Sequence, residues 1–372
     1  MTVKTTFGYV GLEELAADLD RCSLDIPGSL GRPLLPTLPE QIQPYHWKWP
    51  DIERLLDKLK TIGLAEPGHE GLERRMLRLA NPGTPGSKTV TQTMSASVQE
   101  ILPGEVALSH RHTACAVRFF LQGQGTYTTV EGDKCVMEPG DLIVTPYNAW
   151  HDYGNEGKEP GIWFDALDFP LVQYLDAVGY VKRVEDTVGY DTADAPPLAP
   201  RIGVSEARYA ATGLRPAWEP RERTERASLI HYRWANTERA LRRLAELDAS
   251  PYDDVMLEYV NPTTGDSLFR TIGCCIQMLR PGVHTRAHRQ ASSAVYLAYR
   301  GRGTTIVGGR RFDWSQGDLF LVPSWLWHEH VNPGGEPAIL FSVQDFPAMK
   351  ALGLYEEEAL PEGHQREERR RS

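Results

Sequence analysis

Gly140-Asp-Leu-Ile-Val-Thr-Pro146-Tyr-Asn148-Ala-Trp-His151-Asp-Tyr-Gly-Asn155 returns in the second half of the chain as Gly317-Asp-Leu-Phe-Leu-Val-Pro323-Ser-Trp-Leu-Trp-His328-Glu-His-Val-Asn332. Each copy reads as a glycine, a short aliphatic run, a proline stop and a histidine opening the next run, as expected of strands in a small antiparallel barrel. Working outward, the segments upstream match too. In the first half they are 116–123, 125–132, 134–140 and 141–146; in the second they are 294–301, 303–309, 310–314 and 318–323. All are short, rich in β-branched and aromatic residues, and punctuated by glycine. Gln99 to Gly104 matches Gln277 to Gly282, Asn81-Pro82 matches Asn261-Pro262, and His46-Trp47-Lys48-Trp49 matches His231-Tyr232-Arg233-Trp234. The last pair each lead into a stretch with leucines at helical spacing, Ile52 to Leu64 and Thr237 to Leu247.

An internal duplication of this period predicts an all-β core of two jelly-roll barrels with added helices. The expected divisions are an N-terminal helical or irregular extension over 1–90, a first barrel over 91–173 and a linker with helices over 174–255. A second barrel over 256–350 and a polar tail over 351–372 complete the chain. The 372 residues carry 41% hydrophobic and 24% charged side chains, ordinary for a globular chain, and no apolar run is long enough to span a bilayer. The start lacks a basic-then-apolar signal pattern, so a cytoplasmic location is expected. Five cysteines without paired spacing (Cys22, Cys115, Cys135, Cys274, Cys275) read as reduced thiols. A net charge of −10 argues against nucleic-acid partners, and the basic cluster at 366–371 closes what reads as a solvated tail.

Chemistry concentrates in the first half. His110 and His112 sit at i and i+2, so on a strand both imidazoles project from one face. His151 arrives at the end of a second strand, and three neutral imidazoles converging in an apolar barrel make a facial metal site with open positions. Arg118 follows His110 and His112 at the same parity, which predicts an inward-facing guanidinium, although a solvent-facing charge is the plain alternative. In the second half His288 and His328 hold the corresponding first and third slots, but Gln290 and Tyr296 replace the middle ligand and the arginine. A degenerate, structural second barrel is therefore expected, with His330 the only spare imidazole two residues from His328.

Gly-x5-His-x-His followed by Gly-x5-Pro-x-Asn-x2-His-x3-Asn resembles the pair of cupin motifs. The glutamate usual in the first motif falls at Ala116, so the acidic ligand is missing. More specifically, segments 46–49, 73–82, 100–105, 110–113, 116–119, 150–152 and 165–170 together resemble bicupin gentisate, salicylate and 1-hydroxy-2-naphthoate 1,2-dioxygenases. That resemblance implies one Fe(II) per chain on His110, His112 and His151. It places substrate contacts at Arg74, Arg78, Gln99 and Arg118, with Asp165 supporting them among the catalytic residues. It also implies a homo-oligomer, a homotetramer in the family. Two departures fall on the pocket wall: His151-Asp152-Tyr153 stands where His-Asp-His is usual, and Ser95-Ala96-Ser97 where a Trp-Ala-Gly-like segment is usual. They incline the reading toward a 5-substituted salicylate such as 5-nitrosalicylate, with gentisate and salicylate still open.

The implied reaction opens the ring between the carboxyl-bearing and hydroxyl-bearing carbons with O2. A substrate offering both groups as a chelate cancels the metal's +2 charge. Plainer readings stand beside these: Arg74 and Arg78, four residues apart, also fit a solvated helical face, and Gln99 a strand residue bonded to backbone. For the whole chain the alternatives are a non-catalytic bicupin storage protein, or another metallo-cupin enzyme of the oxalate decarboxylase or flavonol dioxygenase type.

Overall fold

The computed structural model describes residues 21, 41–62, 74–182, 200–210 and 229–367. In the first half β1 (Tyr45–Trp47) leads into helix α1 (Trp49–Lys60), then β2 (Arg75–Arg78), β3 (Ser95–Ile101), β4 (Val106–His112), β5 (Ala116–Gln122), β6 (Thr126–Val130) and β7 (Asp133–Val136). β8 (Leu142–Thr145), β9 (His151–Asn155), β10 (Gly161–Leu167), helix α2 (Phe169–Tyr174), β11 (Tyr180–Lys182), β12 (Arg201–Ile202) and helix α3 (Val204–Tyr209) follow. The second half repeats the plan with β13 (His231–Tyr232), helix α4 (Trp234–Ala245), β14 (Val255–Tyr259), β15 (Gly273–Leu279), β16 (His288–Gln290) and β17 (Ala294–Arg300). β18 (Arg302–Val307), β19 (Arg310–Ser315), β20 (Leu319–Val322), β21 (His328–Val331), β22 (Ala338–Gln344), helix α5 (Phe346–Ala351) and β23 (Glu357–Ala359) complete it.

The first barrel is a six-stranded sheet ordered β13-β8-β5-β10-β3-β2 facing a six-stranded sheet ordered β11-β4-β9-β6-β7-β12. The second is β1-β20-β17-β22-β15-β14 facing β19-β18-β21-β16-β23. The central strands are apolar on both parities because both of their faces are covered. In β5, Val117 and Phe119 point to a core shared by the two halves, while Phe120 points into the first barrel with Ile101, Ile143 and Trp163. β17 does the same, sending Val295, Leu297 and Tyr299 to the shared core and Tyr296 into the second barrel. The Phe119 and Phe341 rings stack 4.2 Å apart across the join.

The two halves also exchange strands. β1 pairs with β20 of the second barrel, His46 opposite Phe320, and β13 pairs with β8 of the first, His231 opposite Ile143. Each exchanged strand closes on an aspartate of the other half. Asp318 accepts from His46 Nε2 at 3.2 Å, Lys48 Nζ at 3.0 Å and the Trp49 backbone N–H at 2.7 Å. Asp141 is paired with His231 Nε2 at 2.7 Å and accepts from the Trp234 backbone N–H at 2.7 Å. The preceding glycines lie flat under the partner indoles: a Cβ at Gly317 would stand 2.5 Å from Trp49 Cγ, and one at Gly140 2.6 Å from Trp234 Cγ.

Several sequence expectations change here. Residues 75–78 are a strand, so Arg74 and Arg78 are not neighbours on a helical face. The linker contributes β11, β12 and β13 to the first barrel's sheets, because a barrel edge left open would expose unpaired backbone groups. The tail is likewise not free over its first part: β23 pairs with β16, Glu357 opposite Gln290. Cys115, Cys135, Cys274 and Cys275 are buried and form no disulfide. Cys22, the end of the first helix-like stretch at Leu64, and residues 368–371 of the basic cluster lie outside the described residues. Among the described residues no helix is long and apolar enough to cross a membrane.

Candidate metal centre

β4 and β9 are adjacent, with His110 directly opposite His151 in register, and this brings the three histidines to one point. Ring centroids are 4.2 Å apart for His110 and His151, 4.8 Å for His112 and His151, and 5.8 Å for His110 and His112. Each imidazole is tied through Nδ1 to a backbone carbonyl two residues away: His110 to Leu108 at 2.9 Å, His112 to Ala114 at 2.7 Å, His151 to Ala149 at 2.9 Å. With Nδ1–H donating, Nε2 carries the lone pair on all three rings, as a metal ligand requires. Burial, then the nearby Arg74 guanidinium, pushes His110 down to about 3. Burial likewise lowers His112, and lowers His151 well below the usual histidine range. Protons therefore do not compete for these nitrogens at neutral pH. An all-nitrogen trio with no carboxylate suits iron, zinc, copper or nickel, so the residues present fit a divalent transition metal.

The facing sheet carries a polar row. Asp165 on β10 lies opposite Arg118 on β5 and Ser97 on β3, so the three stand abreast on the inner face. Arg118 is buried; its Nε donates to Asp165 Oδ1 at 3.2 Å and its Nη1 to Thr128 Oγ1 at 2.9 Å. Asp165 Oδ2 also accepts from Gln99 Nε2 and, at 2.9 Å, from Trp163 Nε1. The Tyr153 hydroxyl donates to Gln99 Oε1 at 3.4 Å, and its ring lies 5.0 Å from the Arg118 guanidinium and 6.0 Å from that of Arg74. Arg74 bridges the two sheets: its Nη2 is 3.3 Å from His110 Nε2 and 3.3 Å from the Tyr180 hydroxyl.

His110, His112, His151, Gln99, Arg118, Asp165, Tyr153 and Arg74 are thus brought together. Arg78 lies opposite Ser97 in register but is exposed on the edge strand β2, and Ser95 is half-buried at the start of β3. Tyr180 was missed by sequence reasoning. Its ring stands 5.5 Å from His110 and 6.4 Å from His112, because β11 pairs with β4, and only the short β-prone pair Tyr180-Val181 in a loop-like stretch signalled it.

In the second barrel His288 and His328 keep the pairing, rings 4.3 Å apart, but Gln290 turns to Gln344 Oε1 at 3.1 Å. His330 Nδ1 is 2.9 Å from Thr305 Oγ1 beside Tyr296. A cavity of about 260 Å³ remains there, lined by Asp253, His288, Gln290, Tyr296 and His328 among others.

The cupin domain family matches twice, over residues 97–167 and 275–344. Over 321 residues the chain is 36% identical to a 5-aminosalicylate 1,2-dioxygenase from Comamonas sp., covering 85% of this chain and 82% of that protein. It is 38% identical over 320 residues to a 1-hydroxy-2-naphthoate 1,2-dioxygenase from Nocardioides sp. strain KP7, covering 85% and 78%. The chain belongs to the gentisate and salicylate 1,2-dioxygenase family. The structure of the salicylate 1,2-dioxygenase from Pseudoaminobacter salicylatoxidans with gentisate superposes with a TM-score of 0.82 at 31% identity, covering 97% of each chain. Family membership makes the protein a bicupin, ring-cleaving dioxygenase, in which the buried histidine trio is the metal-competent group of the first barrel.

Proposed function

We propose that this enzyme opens a 5-substituted salicylate between its carboxyl-bearing and hydroxyl-bearing carbons, with Fe(II) held by His110, His112 and His151. The observation that carries the proposal is the opposition of the trio to an arginine clamp on the facing sheet, with Arg74 spanning the gap. The chemistry such a centre supplies when iron is bound is the activation of dioxygen toward an aromatic ring. The chain's own residues do the rest. Arg118 and Arg74 take the substrate carboxylate by charge-assisted hydrogen bonds, and Gln99 fixes the adjoining oxygen. Asp165 holds Arg118 and Gln99 in register, which is positioning rather than chemistry.

The buried rings of Tyr153 and Trp163, 5.1 Å apart, wall the site on the Arg118 side. Ser95 in place of a tryptophan gives the pocket more room, and Tyr153 in place of a histidine gives it a different polar edge, which favours a substituent other than hydroxyl at ring carbon 5. Arg78, exposed on the edge strand β2 opposite Ser97, is the outermost of the proposed substrate contacts. The same reading carries the family expectation of a cytoplasmic homotetramer, which size-exclusion chromatography with light scattering tests.

The decisive experiment is oxygen uptake by protein loaded anaerobically with iron, offered salicylate, gentisate, 5-aminosalicylate and 5-nitrosalicylate. One oxygen consumed per acid is expected with a 5-substituted salicylate, lost on chelation and restored by iron. In H151A both iron content and activity should fall by more than about 100-fold. Consumption that survives metal removal, or no acid consumed, would overturn the reading.

A further inference from the structure

Outside the first barrel a second group of ligand-type side chains meets on the outer face of the second. On β21, His328 and His330 turn inward toward His288 and Tyr296, so Glu329 between them turns outward. Glu329 is nevertheless fully buried, because the segment after β23 folds over it. His364 Nδ1 lies 3.0 Å and His284 Nε2 3.6 Å from the same carboxylate oxygen, Oε2, and the other oxygen accepts the Gln365 backbone N–H at 3.1 Å. The two imidazoles face each other with centroids 4.0 Å apart, and the donor atoms of all three residues lie within 4.8 Å of one another.

We propose that His284, Glu329 and His364 form a second, structural metal site for a divalent ion of the zinc class. In a tetrahedral zinc site, bonds of about 2.1 Å put neighbouring donors about 3.4 Å apart. The two contacts to Oε2 bracket that spacing. An ordinary ion pair accounts for the arrangement less well. One protonated histidine would satisfy the carboxylate, yet a second imidazole is held against the same oxygen at 3.6 Å, beyond good hydrogen-bond distance. Two imidazoles and a carboxylate are the ligand set that a borderline metal selects. The half-exposed histidines give the ion an entry path and leave its remaining positions to water.

The ligands come from three separate segments. His284 lies before β16 and is bridged to Val331, Glu329 is on β21, and His364 follows β23. An ion here would staple the C-terminal segment to the barrel. It would also hold β23, whose Glu357 accepts from His288 Nδ1 at 3.0 Å, over the degenerate histidine pair. The site is separate from the dioxygenase centre and uses none of its residues.

The test uses the full chain, stripped of metal and titrated with Zn²⁺ against a competing chromophoric chelator. Wild type should bind two equivalents, whereas H284A/H364A and, separately, E329Q should each bind one. In the iron-loaded enzyme, added zinc should raise the thermal midpoint and slow proteolytic trimming of the C-terminal segment, and both effects should vanish in the variants. Because His284 and His364 are half-exposed, their double alanine variant is expected to fold, and unchanged oxygen uptake would confirm it. Equal zinc stoichiometry in wild type and both variants would overturn the proposal, whereas one equivalent in wild type and none in the variants would leave it standing and count against zinc at the first barrel's trio.

Discussion

Arg118 is fixed before any substrate arrives, since Asp165 and Thr128 occupy its Nε and Nη1. A lysine at this position offers a point charge on a flexible stem and cannot keep both ties while gripping a carboxylate. R118K is therefore expected to lower kcat/KM by about 10- to 100-fold, the worth of one or two charge-assisted hydrogen bonds, mostly through KM. Iron content should be unchanged, so parallel metal analysis and oxygen-uptake kinetics check the split; a loss of iron in R118K would place the arginine in the wrong role. D165N should cost a similar factor through misplacement of Arg118 and Gln99, with the fold intact by circular dichroism. The sequence disclosed the trio because a metal motif is local: two residues on one strand and a third at a fixed punctuation. It disclosed Arg118 for a reason that does not hold physically. Parity with His110 and His112 cannot be carried through the turn at 113–115, and Arg118 stands on the sheet opposite the histidine trio. The contacts of Tyr180 depend on a long-range strand pairing that no spacing encodes.

At the level of elements, the repeat itself was readable, strand by strand, while its most consequential feature was not. The landmarks from His46 to Asn332 recur at corresponding places in the two repeats, yet β1 and β13 each belong to the other repeat's sheet. Hydrophobic pattern reports which face of a strand is buried, and it is silent on which neighbour it pairs with. The exchange makes Asp318 a stability determinant. Burial pushes its carboxyl up, but His46, the Trp49 N–H, Lys48 and the Ser315 N–H outweigh that and hold it at about 2. A folded value below the unfolded one means the contribution is complete above about pH 4 and is lost as pH falls toward 2, an effect of about 2 kcal/mol. D318N should lack it at neutral pH and show a flatter stability profile between pH 4 and 2 by denaturant titration. Equal slopes for the two proteins would refute this. G140A should also destabilise, by at least about 1–3 kcal/mol from backbone alone, since φ there is +93° and the added Cβ meets Trp234.

Across the whole molecule, the shared core decides whether the halves behave as one protein. Val117, Phe119, Phe164 and Leu142 from the first barrel pack with Val295, Leu297, Phe341 and Val343 from the second in one continuous apolar layer. Phe119 is fully buried, stacked on Phe341 and edge-on to Tyr299 at 5.1 Å. Truncation to alanine removes a phenyl ring from a site braced by two sheets that cannot collapse onto the gap, so F119A should cost about 3–5 kcal/mol. Because that layer and the two exchanged strands tie both barrels together, the loss is not confined to the first. Calorimetry of F119A should show a single transition at lower temperature, and the signal of the distant second barrel, followed through Trp314, should melt with it. Two resolved transitions, with the second barrel at its wild-type midpoint, would mean that the barrels unfold independently. The degenerate barrel would then not serve as the scaffold that keeps β5, and with it Arg118, facing the histidine trio.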